Sequence, residues 1–167
     1  MKKIQIFVIV LLMSLFSFGQ TSETYYNRGV AKYELQDYRG AIADYNKAIE
    51  LEPHYANAYN NRGAAKVQLQ DYRGAIADFN KAIESKPNYA DAYFNRGNAK
   101  ASLEDYRGAI ADYNKAIEIN PNYSNAYFLR GFAKYSIKDK NGACLDWSKA
   151  GELGFEDAYD MIRKFCN

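Results

Sequence analysis

The side chains best suited to chemistry are few in this chain. There is a single histidine, His54, which excludes any catalytic or metal-binding scheme that needs several imidazoles. The chain has 2 cysteines, Cys144 and Cys166, both near its carboxyl end and without a Cys-x-x-Cys arrangement, so redox exchange is disfavoured. No Gly-rich phosphate loop occurs, and no nucleophile, base and orienting partner can be assembled around His54. Carboxylates are plentiful, and a pair of them is the minimum for glycoside hydrolysis. Here, however, the acidic residues recur in columns and no pair stands apart. The expectation is a protein that is not an enzyme and uses no cofactor and no metal. What does stand out is a set of amides, Asn27, Asn61 and Asn95, spaced 34 residues apart. An amide offers both a donor and an acceptor, which is what an extended peptide backbone requires.

The elements that must position these amides are set by the same period. The string DYRGAIADYNKAIE at Asp37 to Glu50 returns with one change at Asp71 to Glu84 and unchanged at Asp105 to Glu118. Gly29, Gly63, Gly97 and Gly131 keep the step, as do Tyr25, Tyr59, Tyr93 and Tyr127, and Pro53, Pro87 and Pro121. Each unit reads as two helices and a tight turn. In the second unit a first helix covers about Asn57 to Gln70, Asp71 caps the next, and Pro87 ends that helix near Lys86. Antiparallel packing about this turn sets Gly63 against Ala77 and Arg62 against Asp78.

On these residues the chain resembles the tetratricopeptide repeat family, from about Ser22 to its carboxyl terminus. The resemblance implies an all-α, right-handed superhelical solenoid of helix-turn-helix units, at about 22–55, 56–89, 90–123 and 124–155. Two columns depart from the family pattern. Arg28, Arg62, Arg96 and Arg130 stand where Leu is usual, and Lys32, Lys66, Lys100 and Lys134 where an aromatic is usual. The arginines are expected to pair with Asp44, Asp78, Asp112 and Asp146 across each hairpin without large stabilisation, the plain alternative being half-exposed pairs that contribute about 0–1 kcal/mol each. The fourth unit ends differently, with Gly154-Phe155-Glu156-Asp157 shortening its turn by two residues. A capping helix at about 156–165 would cover the apolar face that a stacked array leaves on its last unit. Cys144 and Cys166 are equidistant from Phe155, so packing of that helix on its predecessor brings them together. A disulfide there would stabilise by about 3 kcal/mol in the chain-entropy model; two buried free thiols are the alternative.

The second and third units differ mostly along their first helices, at Asn57/Asp91, Asn60/Phe94, Ala64/Asn98, Val67/Ala101, Gln68/Ser102 and Gln70/Glu104. Five of these six fall on one helical stripe, opposite Tyr59, Arg62, Gly63, Lys66 and Leu69. Drift on a solvated face is the plain explanation, but drift toward water favours charge. The stripe instead carries Tyr26, Val30 and Tyr33 at one end and Phe128, Phe132 and Tyr135 at the other, with Phe94 between. Aromatic patches of this kind mark partner surfaces.

In the resembled family the first helices line a concave groove that holds peptides or partner segments. The groove implied here comprises Tyr26, Asn27, Val30, Tyr33, Asn60, Asn61, Phe94, Asn95, Asn98, Phe128, Phe132 and Tyr135. Some family members grip a terminal carboxylate with Lys and Arg on this face. The matching positions here are Tyr26, Val30, Asn61, Asp91 and Asn95, which disfavours that mode. The expected partner is a protein or peptide, with a structural spacer or homo-oligomerising scaffold as the alternative.

The first residues have a separate role. Lys2-Lys3 precedes an apolar run from Ile4 to Phe18, and Ser17 and Gly19 are the small residues before a cut. This reads as a signal peptide over residues 1–19, too short to cross a bilayer, and no membrane insertion follows its cleavage. Its removal takes two of the 22 Lys and Arg and none of the 20 Asp and Glu, so the +2 of the whole chain becomes zero. A neutral chain gives no reason to expect nucleic acid as a partner. The expected location is the periplasm or the exterior of a bacterium, where a disulfide persists.

Overall fold

The computed structural model describes residues 21–166, and the signal-peptide reading of residues 1–19 lies outside them. The described residues form nine helices and no strand. Four hairpins follow one another: α1 (Ser22–Glu34) with α2 (Tyr38–Leu51), α3 (Ala56–Gln68) with α4 (Tyr72–Ser85), α5 (Ala90–Ser102) with α6 (Tyr106–Ile119), and α7 (Ser124–Ser136) with α8 (Lys140–Glu152). A last helix, α9 (Asp157–Phe165), packs on α8. Each hairpin packs on the next through its second helix, giving a solenoid in which the first helices also touch one another. No helix among the described residues is long and apolar enough to cross a membrane.

Local chemistry fixes each hairpin. The carboxylate of Asp71 accepts the backbone N–H of Gly74 at 2.9 Å, and Asp37, Asp105 and Asp139 do the same for Gly40, Gly108 and Gly142. Such a cap is worth about 1 kcal/mol. A side chain at position 74 would run into the Asp71 carboxylate and displace it from its cap, so glycine there protects the capping bond. The turns before these caps place Gln36, Gln70 and Glu104 at φ 61° and Lys138 at φ 71°. In the second unit Gln70 N–H donates to Val67 O and Asp71 N–H to Lys66 O, both at 2.9 Å, which satisfies the last carbonyls of α3.

The core is a column of alanines with one large ring per unit. Ala41, Ala75, Ala109 and Ala143 are fully buried, as are Ala48, Ala82, Ala116 and Ala150, and Tyr45, Phe79, Tyr113 and Trp147 lie among them. The partner of Gly63 is the Phe79 ring, which would come within 2.7 Å of a β-carbon at that position, and not Ala77. Helical side chains lean toward their own amino terminus. On α4 that direction runs toward the turn, so the ring reaches past its strict antiparallel position.

The Arg and Asp columns do pair. Arg62 donates through Nε and Nη2 to Asp78 at 3.0 and 2.5 Å, and Lys66 Nζ lies 2.7 Å from the same carboxylate. The third arm of Arg62 donates from Nη1 to Asn46 Oδ1 of the preceding hairpin at 2.7 Å. Arg96 reaches Asn80 and Arg130 reaches Asn114 in the same way. The expectation of little stabilisation needs correction, because Asp78 is only 3% exposed. Each carboxylate is buried under two cations of its own hairpin, in the second to fourth units the arginine also joins the preceding unit, and removing one partner of such a pair typically costs about 3–5 kcal/mol.

The first unit has no hairpin before it among the described residues, and its Arg28 side chain is 49% exposed against 17% for Arg62. Arg28 still holds Asp44 through Nε at 2.8 Å and through Nη2, with Lys32 Nζ at 2.8 Å. The guanidinium hydrogen bonds lower the Asp44 pKa below the ordinary aspartate value, against an opposing effect of burial and with help from Lys32.

At the other end, Cys144 and Cys166 form a disulfide with a Cα–Cα distance of 5.8 Å. It ties Cys166, the residue just after α9, to α8. Phe155, Met161, Ile162 and Phe165 then close over a core of Ala143, Trp147, Ala150 and Ala158.

Candidate peptide-binding face

The first helices α1, α3 and α5 bring the asparagines together, as the 34-residue step requires, and the structure adds a connection between them. Asn95 Nδ2 donates to Asn60 Oδ1 at 3.1 Å, Asn60 Nδ2 to Asn61 Oδ1 at 3.2 Å, and Asn61 Nδ2 to the Tyr26 phenol oxygen at 3.1 Å. One directed relay of amides thus runs across three helices. In the next unit the Tyr113 phenol donates to Asn98 Oδ1 at 2.8 Å. Asn27 stands exposed at the amino end of the column.

Beside the relay is a cavity of about 410 Å³ lined by Val30, Tyr33, Glu34, Tyr45, Asn60, Asn61, Ala64 and Asn95. A second of about 160 Å³ shares Tyr33, Ala64 and Asn95 with it and extends to Val67, Gln68, Phe79 and Asn98. Burial pushes the Tyr45 pKa up to about 12, partly opposed by its hydrogen bond with Asn61. Its phenol therefore stays protonated at neutral pH.

The aromatic residues of the stripe are placed differently from one another. Tyr26 lies against Tyr45 and Tyr55, with ring centroids 6.0 and 5.1 Å apart, and Phe94 stacks on Tyr123 at 4.8 Å. Tyr33 meets Tyr38 edge-on and lines both cavities. Phe128 and Phe132, expected on an open stripe, pack instead into the capped end, and Tyr135 leans on it while staying 38% exposed. Phe128 meets Phe155 at 4.3 Å, Phe132 meets Trp147 at 5.3 Å, and Tyr135 meets Phe165 at 4.8 Å. The capping helix needs an aromatic seat, and these three rings supply it.

Asn60 is the residue whose role the sequence concealed: it is 6% exposed, the one buried amide of the chain's described core. Glu34, Tyr45 and Ala64 also line the larger cavity without having been singled out. The signal was present in one column, Tyr26, Asn60, Phe94, Phe128, in which a single polar residue interrupts three rings. Among the described residues no group of His, Cys, Asp or Glu is arranged to hold a metal ion.

Family comparison agrees with this geometry. A tetratricopeptide repeat model matches residues 22–55 and 90–123, and a second model described as a TPR repeat matches 63–104. The chain belongs to the tetratricopeptide repeat family. Among curated proteins, none matches this tetratricopeptide repeat protein. Among solved structures it is similar to MamA, with 27% identity over 88% of this chain and 86% of that one and a TM-score of 0.79. It is similar also to the first TPR domain of Spaghetti bound to the HSP90 peptide SRMEEVD, with 25% identity, 71% and 94% coverage and a TM-score of 0.70. A third similar structure is YrrB, described as a TPR protein with an unusual peptide-binding site, with 26% identity, 81% and 71% coverage and a TM-score of 0.71.

Proposed function

We propose that this tetratricopeptide repeat protein is a non-catalytic adaptor or assembly factor that holds an extended peptide or protein segment along the first helices of its amino-terminal units. The observation that carries this reading is the amide relay from Asn95 through Asn60 and Asn61 to Tyr26, set beside an open cavity. Each amide oxygen in the relay has two lone pairs, and each bond described uses one. The relay therefore fixes the amides in one orientation while leaving capacity for a peptide backbone, which lowers the ordering cost of binding. One similar structure with a bound peptide and another described as having a peptide-binding site support a binding role. Residues 1–19 are proposed to direct export, and the disulfide of the cap suits an oxidising compartment. The cap also speaks against growth by end-to-end stacking, which a scaffold of repeating copies would need.

The test is the double substitution Asn61→Ala with Asn95→Ala. Binding of a partner recovered by crosslinking in the native envelope should weaken about tenfold or more at a temperature where both proteins keep their full helical content, and the melting transition should fall because the buried Asn60 loses its bonds to Asn61 and Asn95. Equal binding by the double variant would remove the amides from the function.

A further inference from the structure

We propose that the cavity at Asn60 receives one cationic side chain, an arginine or lysine, of the segment lying along the first helices. The inference rests on the peptide-binding reading above and adds the chemistry of one anchoring residue.

The space exists because the aromatic column is interrupted. Tyr26, Phe94 and Phe128 each cover a ring of the following inter-unit turn, Tyr55, Tyr123 and Phe155. At Asn60 no ring among the described residues covers the equivalent Tyr89, which instead lies under the Lys86 ammonium at 4.5 Å. One turn further along the helix, Ala64 stands where the fourth unit has Phe132. Two small side chains thus replace the Phe128 and Phe132 pair, and about 410 Å³ stays open. That is near the lower end of ligand-pocket sizes, roughly 300–1,000 Å³, and suits one long side chain better than a folded element.

The lining selects charge. The only formally charged residue in it is Glu34. The first-helix columns that line the two cavities and carry the relay contain no Lys or Arg in any of the four units. The Arg and Lys columns of the same helices are turned away and held by the buried aspartates. An anionic side chain would therefore meet a carboxylate with no compensating cation. An apolar one would leave amide oxygens of Asn60, Asn61 and Asn95 without a new donor. A guanidinium carries five donors and no acceptor, and an ammonium three, which matches a wall rich in amide oxygens and one carboxylate. The ring of Tyr33 supplies a face for cation–π contact.

A phage-displayed library of random dodecapeptides, selected on the purified chain, tests this directly. The expected result is enrichment of Arg or Lys at one fixed position. A synthetic copy of a selected peptide should lose about tenfold in affinity when that residue becomes norleucine. Glu34→Gln should weaken the cationic peptide up to about fivefold and leave the norleucine peptide unchanged. Asn60→Phe, which rebuilds the ring column, should weaken the cationic peptide at least about tenfold. Ala64→Val narrows the same cavity one turn further along α3 and keeps the site testable if the Asn60 variant fails to fold. Selected peptides with no basic position would overturn the cationic pocket while leaving the peptide-binding reading intact. Undiminished binding to both folded cavity variants would overturn the location. A selection that enriches no peptide would count against the peptide-binding reading itself.

Discussion

The first and fourth units use the same aromatic stripe for different ends. Tyr26, Val30 and Tyr33 in α1 occupy the positions that Phe128, Phe132 and Tyr135 occupy in α7. In the amino-terminal half Val30 and Tyr33 border an open, amide-lined cavity, and Tyr26 packs on Tyr45 and Tyr55. In the carboxyl-terminal half Phe128, Phe132 and Tyr135 lie in a packed cluster with Trp147, Phe155 and Phe165. The repeat pattern alone does not choose between these outcomes. What decides is the next element: after the fourth unit the turn is short, and α9 is drawn onto α8 by the disulfide. One half of the array is thereby specialised for closure and the other is left available for contact.

The largest test of that division removes the centre of the closed half. Trp147 is fully buried and donates its indole N–H to Phe128 O at 3.2 Å. Trp147→Ala should cost about 3–5 kcal/mol, seen as an earlier urea transition in which the fourth unit and cap are lost first. Peptide binding by the amino-terminal units should persist below that transition. Loss of both together would mean that the halves are not separable.

Reduction of the Cys144–Cys166 bond should have the next largest effect, about 3 kcal/mol. Trp147 is the single tryptophan of the chain, so its fluorescence reports on the cap alone. The expected outcome is a lower urea midpoint by fluorescence after reduction, with the helices α1 to α4 holding their amide-exchange protection.

A smaller effect belongs to the open half. The Asp44 pKa is depressed chiefly by its Arg28 hydrogen bonds. Its contribution to stability is therefore complete above the ordinary aspartate pKa of about 3.9 and is lost as the pH falls through its lower folded value. Acid should accordingly loosen α1 from α2. Amide exchange in α1 measured across that interval should accelerate, and Arg28→Lys, which cannot form the two-pronged contact, should move the onset to higher pH.

Much of this architecture was legible because the repeat prints it several times. Helix positions, the aspartate caps, the Arg–Asp pairs and the Cys144–Cys166 bond all follow from spacing within one hairpin or between neighbours. The burial of the Asp column was not legible, since it depends on an Arg and a Lys of the facing first helix both closing over each carboxylate. The seat of Phe128, Phe132 and Tyr135 was concealed for a similar reason: a stripe that looks free within one helix is covered by an element two turns later. Asn60 was concealed by its own polarity, which suggests exposure. Its hydrogen bonds to Asn61 and Asn95 make burial tolerable, and the bond to Asn95 exists only after α5 has stacked beside α3.

The central claim is that the open half binds and the closed half does not. Its most direct test is to titrate a selected peptide into isotopically labelled protein and follow the backbone and asparagine side-chain amide resonances. The account predicts shifts centred on Val30, Tyr33, Asn60, Asn61, Asn95 and Asn98, with Phe128, Phe132 and Tyr135 nearly unmoved. Shifts centred on Phe128, Phe132 and Tyr135, with the asparagine side chains unmoved, would contradict it.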